Sequence, residues 1–268
     1  VRNTHRACII AALLLASAAL AACLAGCGAS ARTSSRPMVL PTMSGLQVIT
    51  TPRPAWRLVN KSLLAAGHGW GQVSRGGTSR RLIALTFDAG ADANDAAGIL
   101  DTLSRNGLHC TFFLTGDFVK AYPGLAGRIA SEGHELGNHS FSHPRFTELS
   151  AGEVESQIAR TEEAVKKLTG LSTRPYFRFP YGLGSSGLVK EINALGYIGV
   201  LWTFDSLDSM GASAAAIRER VSKYACPGAI VLMHCGSVEE AKALPDVIAD
   251  LQAAQYRIVT LTEVLANP

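Results

Sequence analysis

The 268 residues contain no Cys-x-x-Cys pair, no basic run interleaved with aromatics, and no internal repeat of solenoid type. Each absence removes a class. Without paired cysteines there is neither a thiolate metal site nor a redox dithiol. Without a basic, aromatic stripe, nucleic acid is not an expected partner. Without a repeat, a stacked solenoid is not the architecture. Charge of either sign is also scarce in excess. The formal net charge is +4, and setting aside residues 1–26, which carry Arg2 and Arg6 but no acid, leaves +2. Such a balance suits an anionic cell envelope, but only weakly. Cysteine is sparse: Cys8, Cys23 and Cys27 lie near the N-terminus, and only Cys110, Cys226 and Cys235 fall in the globular part. An odd number allows at most one disulfide within it. Cys226 and Cys235 flank a predicted strand, which would hold them apart.

The N-terminal residues read as a targeting segment. Arg2 and Arg6 precede an apolar stretch from Ala7 to Ala25 that has the character of a secretory h-region. Leu24-Ala25-Gly26-Cys27 resembles the lipobox of bacterial lipoproteins, in which the cysteine is lipidated and becomes the first mature residue. Leu20-Ala21-Ala22-Cys23 fits more loosely, and a plain secretory signal or an uncleaved anchor is the competing reading. Cys27 is preferred because Cys23 leaves a shorter h-region. The expectation is therefore an extracytoplasmic chain, lipid-anchored to the cell membrane through Cys27. Residues 27–45 are small and polar and read as a flexible linker. Residues 46–79 mix Pro, Gly and a few apolar residues, an N-terminal extension with no assignable role. Residues 80–268 read as one globular domain.

Within that domain, strand and helix signals alternate. Strands are predicted at Arg81–Phe87, His109–Leu114, Glu135–Asn138, Tyr176–Phe179, Tyr197–Phe204, Ala229–His234 and Arg257–Thr260. Helices are predicted after Asp95, around Pro123–Ser131, after the capping box Ser150-Ala151-Gly152-Glu153, and over Leu188–Leu195, Ser213–Tyr224 and Val238–Ala254. On the helix after Ser150, Val154, Ile158, Val165 and Leu168 share the predicted buried face. Alternation of this kind means a parallel sheet, and the number of units favours an incomplete (β/α) barrel over a doubly wound sheet.

The polar residues that stand out fall where predicted strands end: Asp88, His139, Arg178 with Tyr181, Asp205 with Asp208, and His234. In β/α barrels the active site is built at that end. His139 and His143, four apart, can converge on one divalent metal. A hydrolytic metal site also needs a carboxylate to take a proton from water, and the cluster Thr86-Phe87-Asp88-Ala89-Gly90-Ala91-Asp92 supplies candidates. Any one of these residues has an ordinary structural explanation. Five strand ends delivering Asp, His and Arg to one face do not.

Taken in order, Thr86-Phe87-Asp88, His139-Ser140-Phe141-Ser142-His143, Arg178-Phe179-Pro180-Tyr181-Gly182, Asp205-Ser206-Leu207-Asp208 and Leu232-Met233-His234 resemble the five motifs of the polysaccharide deacetylases, the NodB-homology carbohydrate esterases of family 4. The resemblance spans Arg80 to Leu265. It implies a deformed (β/α) barrel that removes acetyl groups from N-acetylated sugars in a metal-dependent reaction. It also implies roles. His139 and His143 would bind the metal, zinc first, with cobalt or nickel compatible with the same donors. Asp88 would be the general base and His234 the general acid. The backbone N–H of Tyr181 would support the oxyanion, and Arg178 would orient Asp88. Asp208, with Asp205 the weaker candidate, would orient His234.

The chain departs from the family pattern twice. The family's third metal ligand is an Asp directly after the base, and here that position is Ala89. Asp92 is the candidate replacement if the loop turns at Gly90; otherwise water would fill the position. Ser209 stands where the family commonly has Trp. The expected substrate is N-acetylglucosamine or N-acetylmuramic acid in peptidoglycan, then poly-N-acetylglucosamine or chitin-like oligomers, then O-acetyl xylan. The rival from another class is a non-catalytic glycan-binding lipoprotein. No protein partner is predicted.

Overall fold

The computed structural model describes residues 71–90 and 92–266. The expected signal segment, the Cys27 lipobox, the linker and most of the extension lie outside the described residues.

The central strand explains the rest. Leu82-Ile83-Ala84-Leu85-Thr86-Phe87-Asp88-Ala89 is buried at every position, as a parallel strand covered on both faces must be. Its alternate residues point to opposite sides. Ile83, Leu85, Phe87 and Ala89 join the apolar layer shared with the surrounding helices. Leu82 and Ala84 join an inner cluster with Phe113, Tyr176, Val200, Ile230 and Val259. Thr86 and Asp88 continue that inner row upward, so the strand brings one carboxylate to the top of the barrel interior.

We number the strands β1 (Gln72–Val73), β2 (Leu82–Ala89), β3 (Thr111–Leu114), β4 (Glu135–Asn138), β5 (Tyr176–Phe177), β6 (Ile198–Val200), β7 (Phe204–Asp205), β8 (Ala229–His234) and β9 (Arg257–Ile258). They form one sheet in the order β1-β6-β5-β4-β3-β2-β8-β7, with β9 also pairing β2. All named ladders are parallel. An antiparallel bridge between Arg75 and Ala229 and the Thr203 hydroxyl, which donates to the Ser74 carbonyl at 2.7 Å, draw the two edges toward each other. The sheet thus curls into the deformed barrel that the sequence implies, with its helices outside.

Several predicted bounds hold closely, including β4, β8 and the helix Pro123–Ser131. The capping box at Ser150 opens the helix Ala151–Thr169, which Gly170 ends in the left-handed conformation at φ 72°. Other expectations need correction. Residues 72–73, counted with the extension, form β1, so the sheet begins before Arg80. The predicted strand Tyr197–Phe204 is two strands, because the chain changes partner between them: Leu201 N–H still bonds the Val73 carbonyl of β1, whereas Thr203 N–H bonds that of Ile230 in β8. A short helix, Gly116–Ala121, and another, Leu261–Leu265, were not anticipated. Leu168 is 41% exposed, and Thr161 takes its place on the buried face. Asp95 occupies an N-cap position without making a capping bond. Cys110, Cys226 and Cys235 are all free thiols.

Two glycines test this packing with opposite signs. A Cβ on Gly137 would lie 2.5 Å from the Phe113 ring, whereas one on Gly127 would meet nothing within 4 Å. Gly137→Ala should destabilise by about 1–3 kcal/mol through overpacking. Gly127→Ala, inside a helix, should stabilise by roughly 0.5–1 kcal/mol. Denaturant melts of the two variants check both signs.

Candidate active site

Arg178 lies just past β5 and is fully buried. Its side chain fills the barrel interior above the Phe113 ring, 4.1 Å from guanidinium carbon to ring centroid. Nη1 donates to Asp88 Oδ1 at 2.6 Å, Nη2 to Thr86 Oγ1 at 2.9 Å and the Leu201 carbonyl at 3.3 Å, and Nε to the Val200 carbonyl at 3.3 Å. Burial alone would raise the Asp88 carboxyl. The Arg178 guanidinium, with His234, outweighs it and holds the group below its ordinary value. Asp88 is therefore a carboxylate.

The backbone of the same arginine orients a histidine. The Arg178 carbonyl accepts from His139 Nδ1 at 2.8 Å. A carbonyl cannot donate, so Nδ1 carries the hydrogen and Nε2 is left with its lone pair. That Nε2 lies 3.4 Å from Asp88 Oδ2. His143 packs edge-on against His139, ring centroids 4.8 Å apart. Burial and the neighbouring His139 bring its pKa down to about 4. Burial likewise lowers that of His139. Two neutral imidazoles and a carboxylate thus line a cavity of about 600 Å³.

On the strand beside that of Asp88, His234 is held twice by Asp208: Oδ1 takes the ring Nδ1–H at 2.8 Å and Oδ2 takes the backbone N–H at 2.9 Å. Burial works against a charged His234. The Asp208 hydrogen bond and the charges of Asp88, Asp208 and Asp205 outweigh it and raise the imidazole above its ordinary value. Asp205 itself turns away to cap the Leu207 N–H at 2.8 Å, so Asp208 is the orienting carboxylate. Asp88 and His234 are register partners on adjacent strands.

The loops at this rim are strained. Ser140, His143, Tyr181 and Leu207 all have positive φ, between 57° and 69°, a conformation that costs non-glycine residues roughly 1–3 kcal/mol each. The histidine loop is held by side chains that the sequence did not single out. Asn138 Oδ1 accepts the Ser140 N–H, Ser140 Oγ accepts that of His143, and Gln157 Oε1 accepts those of Phe141 and Ser142. Tyr181 is 56% exposed and packs edge-on against His143, with Arg145 over its ring. Its backbone N–H has no hydrogen-bond partner among the described residues.

Asp92 has a place of its own in the site. Its Oδ1 sits over Gly236, where a Cβ would lie 1.7 Å from it. Among the described residues, no three His, Cys, Asp or Glu side chains gather within reach of one ion. Asp92 lines the same cavity but does not supply the missing third ligand in this arrangement. Ala89 is buried in the apolar layer outside the barrel, so its side chain does not face the site.

A family model described as polysaccharide deacetylase matches residues 75–200. The chain is 36% identical over 195 residues to the peptidoglycan-N-acetylmuramic acid deacetylase PdaA of Bacillus subtilis, covering 71% of this chain and 73% of that one. The solved structure of PdaA, a family 4 carbohydrate esterase, superimposes with a TM-score of 0.69 at 34% identity, covering 76% of this chain and 87% of it. A peptidoglycan-N-acetylglucosamine deacetylase of Bacillus cereus is 36% identical over 186 residues, 67% of this chain and 66% of that one. A family 4 pseudoenzyme from Bacillus anthracis is also similar, with a TM-score of 0.69 at 30% identity, covering 72% of this chain and 68% of that one.

If Asp208 is what raises His234, Asp208→Asn should lower the His234 titration midpoint by about one pH unit, the worth of a charge-assisted hydrogen bond. The measurement is an NMR titration of the imidazole, and an unmoved midpoint would show that the pairing is not the cause.

Proposed function

This chain belongs to the polysaccharide deacetylase family, and on that premise we propose that it hydrolyses acetamide groups of an N-acetylated envelope polysaccharide, peptidoglycan first, releasing acetate. One observation carries the reading. Asp88 and His234, side by side on adjacent strands, have partners that push them apart: Arg178 keeps one anionic, and Asp208 favours the protonated form of the other. Paired groups with opposed shifts are the mark of an assigned base and acid. A protein that only binds glycan has no use for the difference.

His139 and His143 fit a divalent metal by donor chemistry: both are neutral, and the His139 tautomer leaves Nε2 available. Zinc is the preferred ion, with cobalt or nickel next. Such an ion supplies Lewis acidity and lowers the pKa of water from 15.7 to about 7. With two histidines and no third protein ligand assembled, affinity should be lower than at a three-ligand site.

The chain's own groups do the rest. Asp88 takes a proton from the attacking water through Oδ2, since Oδ1 is held by Arg178. The free N–H of Tyr181, fixed at the rim by its positive φ of 59°, offers a donor to the developing oxyanion. His234 delivers a proton from Nε2 to the leaving nitrogen while Nδ1–H stays on Asp208. The open cavity suits a polymer chain threading past the site.

Acetate release from peptidoglycan and from chitooligosaccharides, with and without chelator, tests the reading. Asp88→Asn should reduce release by about 100-fold or more. A wild-type chain with no chelator-sensitive release on either substrate would favour the non-catalytic glycan binder. Metal binding gives an independent check. By calorimetry His143→Ala should weaken zinc by about tenfold or more, while Asp92→Ala should change it less than about threefold. The same reading tethers the enzyme at the membrane through Cys27, supported by the Leu24–Cys27 quartet. Metabolic fatty-acid labelling should be lost in Cys27→Ala.

A further inference from the structure

Three helices of this chain open on the same signature, a hydroxyl residue followed three positions later by Glu: Ser150 with Glu153, Thr260 with Glu263, and Ser237 with Glu240. In the first two, the Glu carboxylate returns to the cap and both halves of the capping box form. At the third, only half forms. Ser237 Oγ accepts the Glu240 N–H at 3.1 Å, but the Ser237 N–H goes to the His234 carbonyl at 3.3 Å. The Glu240 side chain has left the cap and turned inward. It is fully buried, and neither carboxyl oxygen has a hydrogen-bond partner among the described residues.

Glu135 shows how unusual this is. It is also a buried glutamate, yet Thr111 and Thr262 satisfy it with side-chain and backbone donors. An ionised carboxylate buried without donors costs several kcal/mol, so such a group keeps its proton instead. Burial, reinforced by Asp208, pushes Glu240 up to about 8. It is a carboxylic acid, a donor, at neutral pH.

What it faces is the His234 assembly. The groups that act on its charge are Asp208, Ser206, His234 and Asp205; Ser206 favours its anion but makes no hydrogen bond with it. Of the charges on the packed helices, Glu239 pairs with Lys242 and Arg218 with Asp246 and Asp250, while Arg220 donates to the Asp205 carbonyl at 2.5 Å. Ser206 Oγ donates to Asp208 Oδ1 at 3.1 Å and accepts the Asp208 N–H at 3.4 Å, which leaves it one lone pair. Asp208 in turn holds His234.

We propose that Glu240 is a positioning residue for the His234 proton donor: buried as a neutral acid beside Ser206, it needs only a small side-chain rotation to donate to the remaining Ser206 lone pair, and that bond holds the Ser206–Asp208–His234 chain in one orientation. The functional part of this rests on the deacetylase reading; the link to His234 does not. The proposal assigns a role to a buried acid outside the five motifs.

The test uses the full chain with labelled histidine, following the His234 midpoint by NMR together with acetate release. E240L should lower the midpoint by about 0.5 pH units or more and reduce kcat roughly fivefold with KM within about twofold. E240Q, whose amide donates to Ser206, should restore both. An E240L chain that folds and titrates like wild type overturns the proposal. Should E240L fail to fold, S206A carries the test: the same fall is expected, with no further change on adding E240Q. A wild-type midpoint in S206A, or a further change in the double variant, overturns it. The titration needs no turnover. Absence of acetate release from wild type therefore removes the deacetylase reading alone, while release with an unmoved midpoint in the variants removes the Glu240 role alone.

Discussion

The buried pair of Arg178 and Asp88 is the contact on which the site depends. A guanidinium with no exposed surface persists only when its donors are satisfied and its charge is met. Arg178 reaches that state by bonding Asp88, Thr86 and two strand-end carbonyls, at 2.6 to 3.3 Å, over the face of Phe113. Breaking such a pair by removing one partner typically costs about 3–5 kcal/mol. The contact closes the barrel's upper interior and keeps Asp88 ionised. Through its carbonyl, the same residue sets the His139 tautomer. One arginine thus orients both the candidate base and a candidate metal ligand, and they cannot drift independently.

Around that fixed point the rim is held under strain. Four non-glycine residues with positive φ sit in the loops that carry the site, and the bonds that hold the histidine loop there come from Asn138, Ser140 and the distant Gln157. Their signal in sequence is faint. Asn138 adjoins His139, but Gln157 sits in the middle of a helix sixteen residues from Phe141, and nothing local marks it. Ser206 and Glu240 were equally silent. A Ser-x-x-Glu start reads as an ordinary cap, and only burial shows that the glutamate abandons it.

Elements with local signals were legible. Pro123 at a helix start, the Ser150 capping box and Gly170 after it marked real boundaries, because capping and proline act within one turn. The helix Gly116–Ala121 was missed because its six residues show no periodic stripe; its start is set by Thr115, which accepts the Phe118 N–H. The split of Tyr197–Phe204 was missed because the intervening backbone bonds to Val73 and Ile230, far away in sequence.

By itself the sequence determined the alternation of strands and helices, the placement of Asp, His and Arg at strand ends, and the absence of an acid at position 89. These depend on residue type and short-range order. Only the tertiary structure decided which partners those residues have. It aimed Ala89 into the apolar layer, seated Asp92 over Gly236, and chose Asp208 over Asp205 as the partner of His234. The physical reason is that a titratable group's behaviour is set by burial and by neighbours within a few ångströms, and the curl of the sheet brings those neighbours from distant strands.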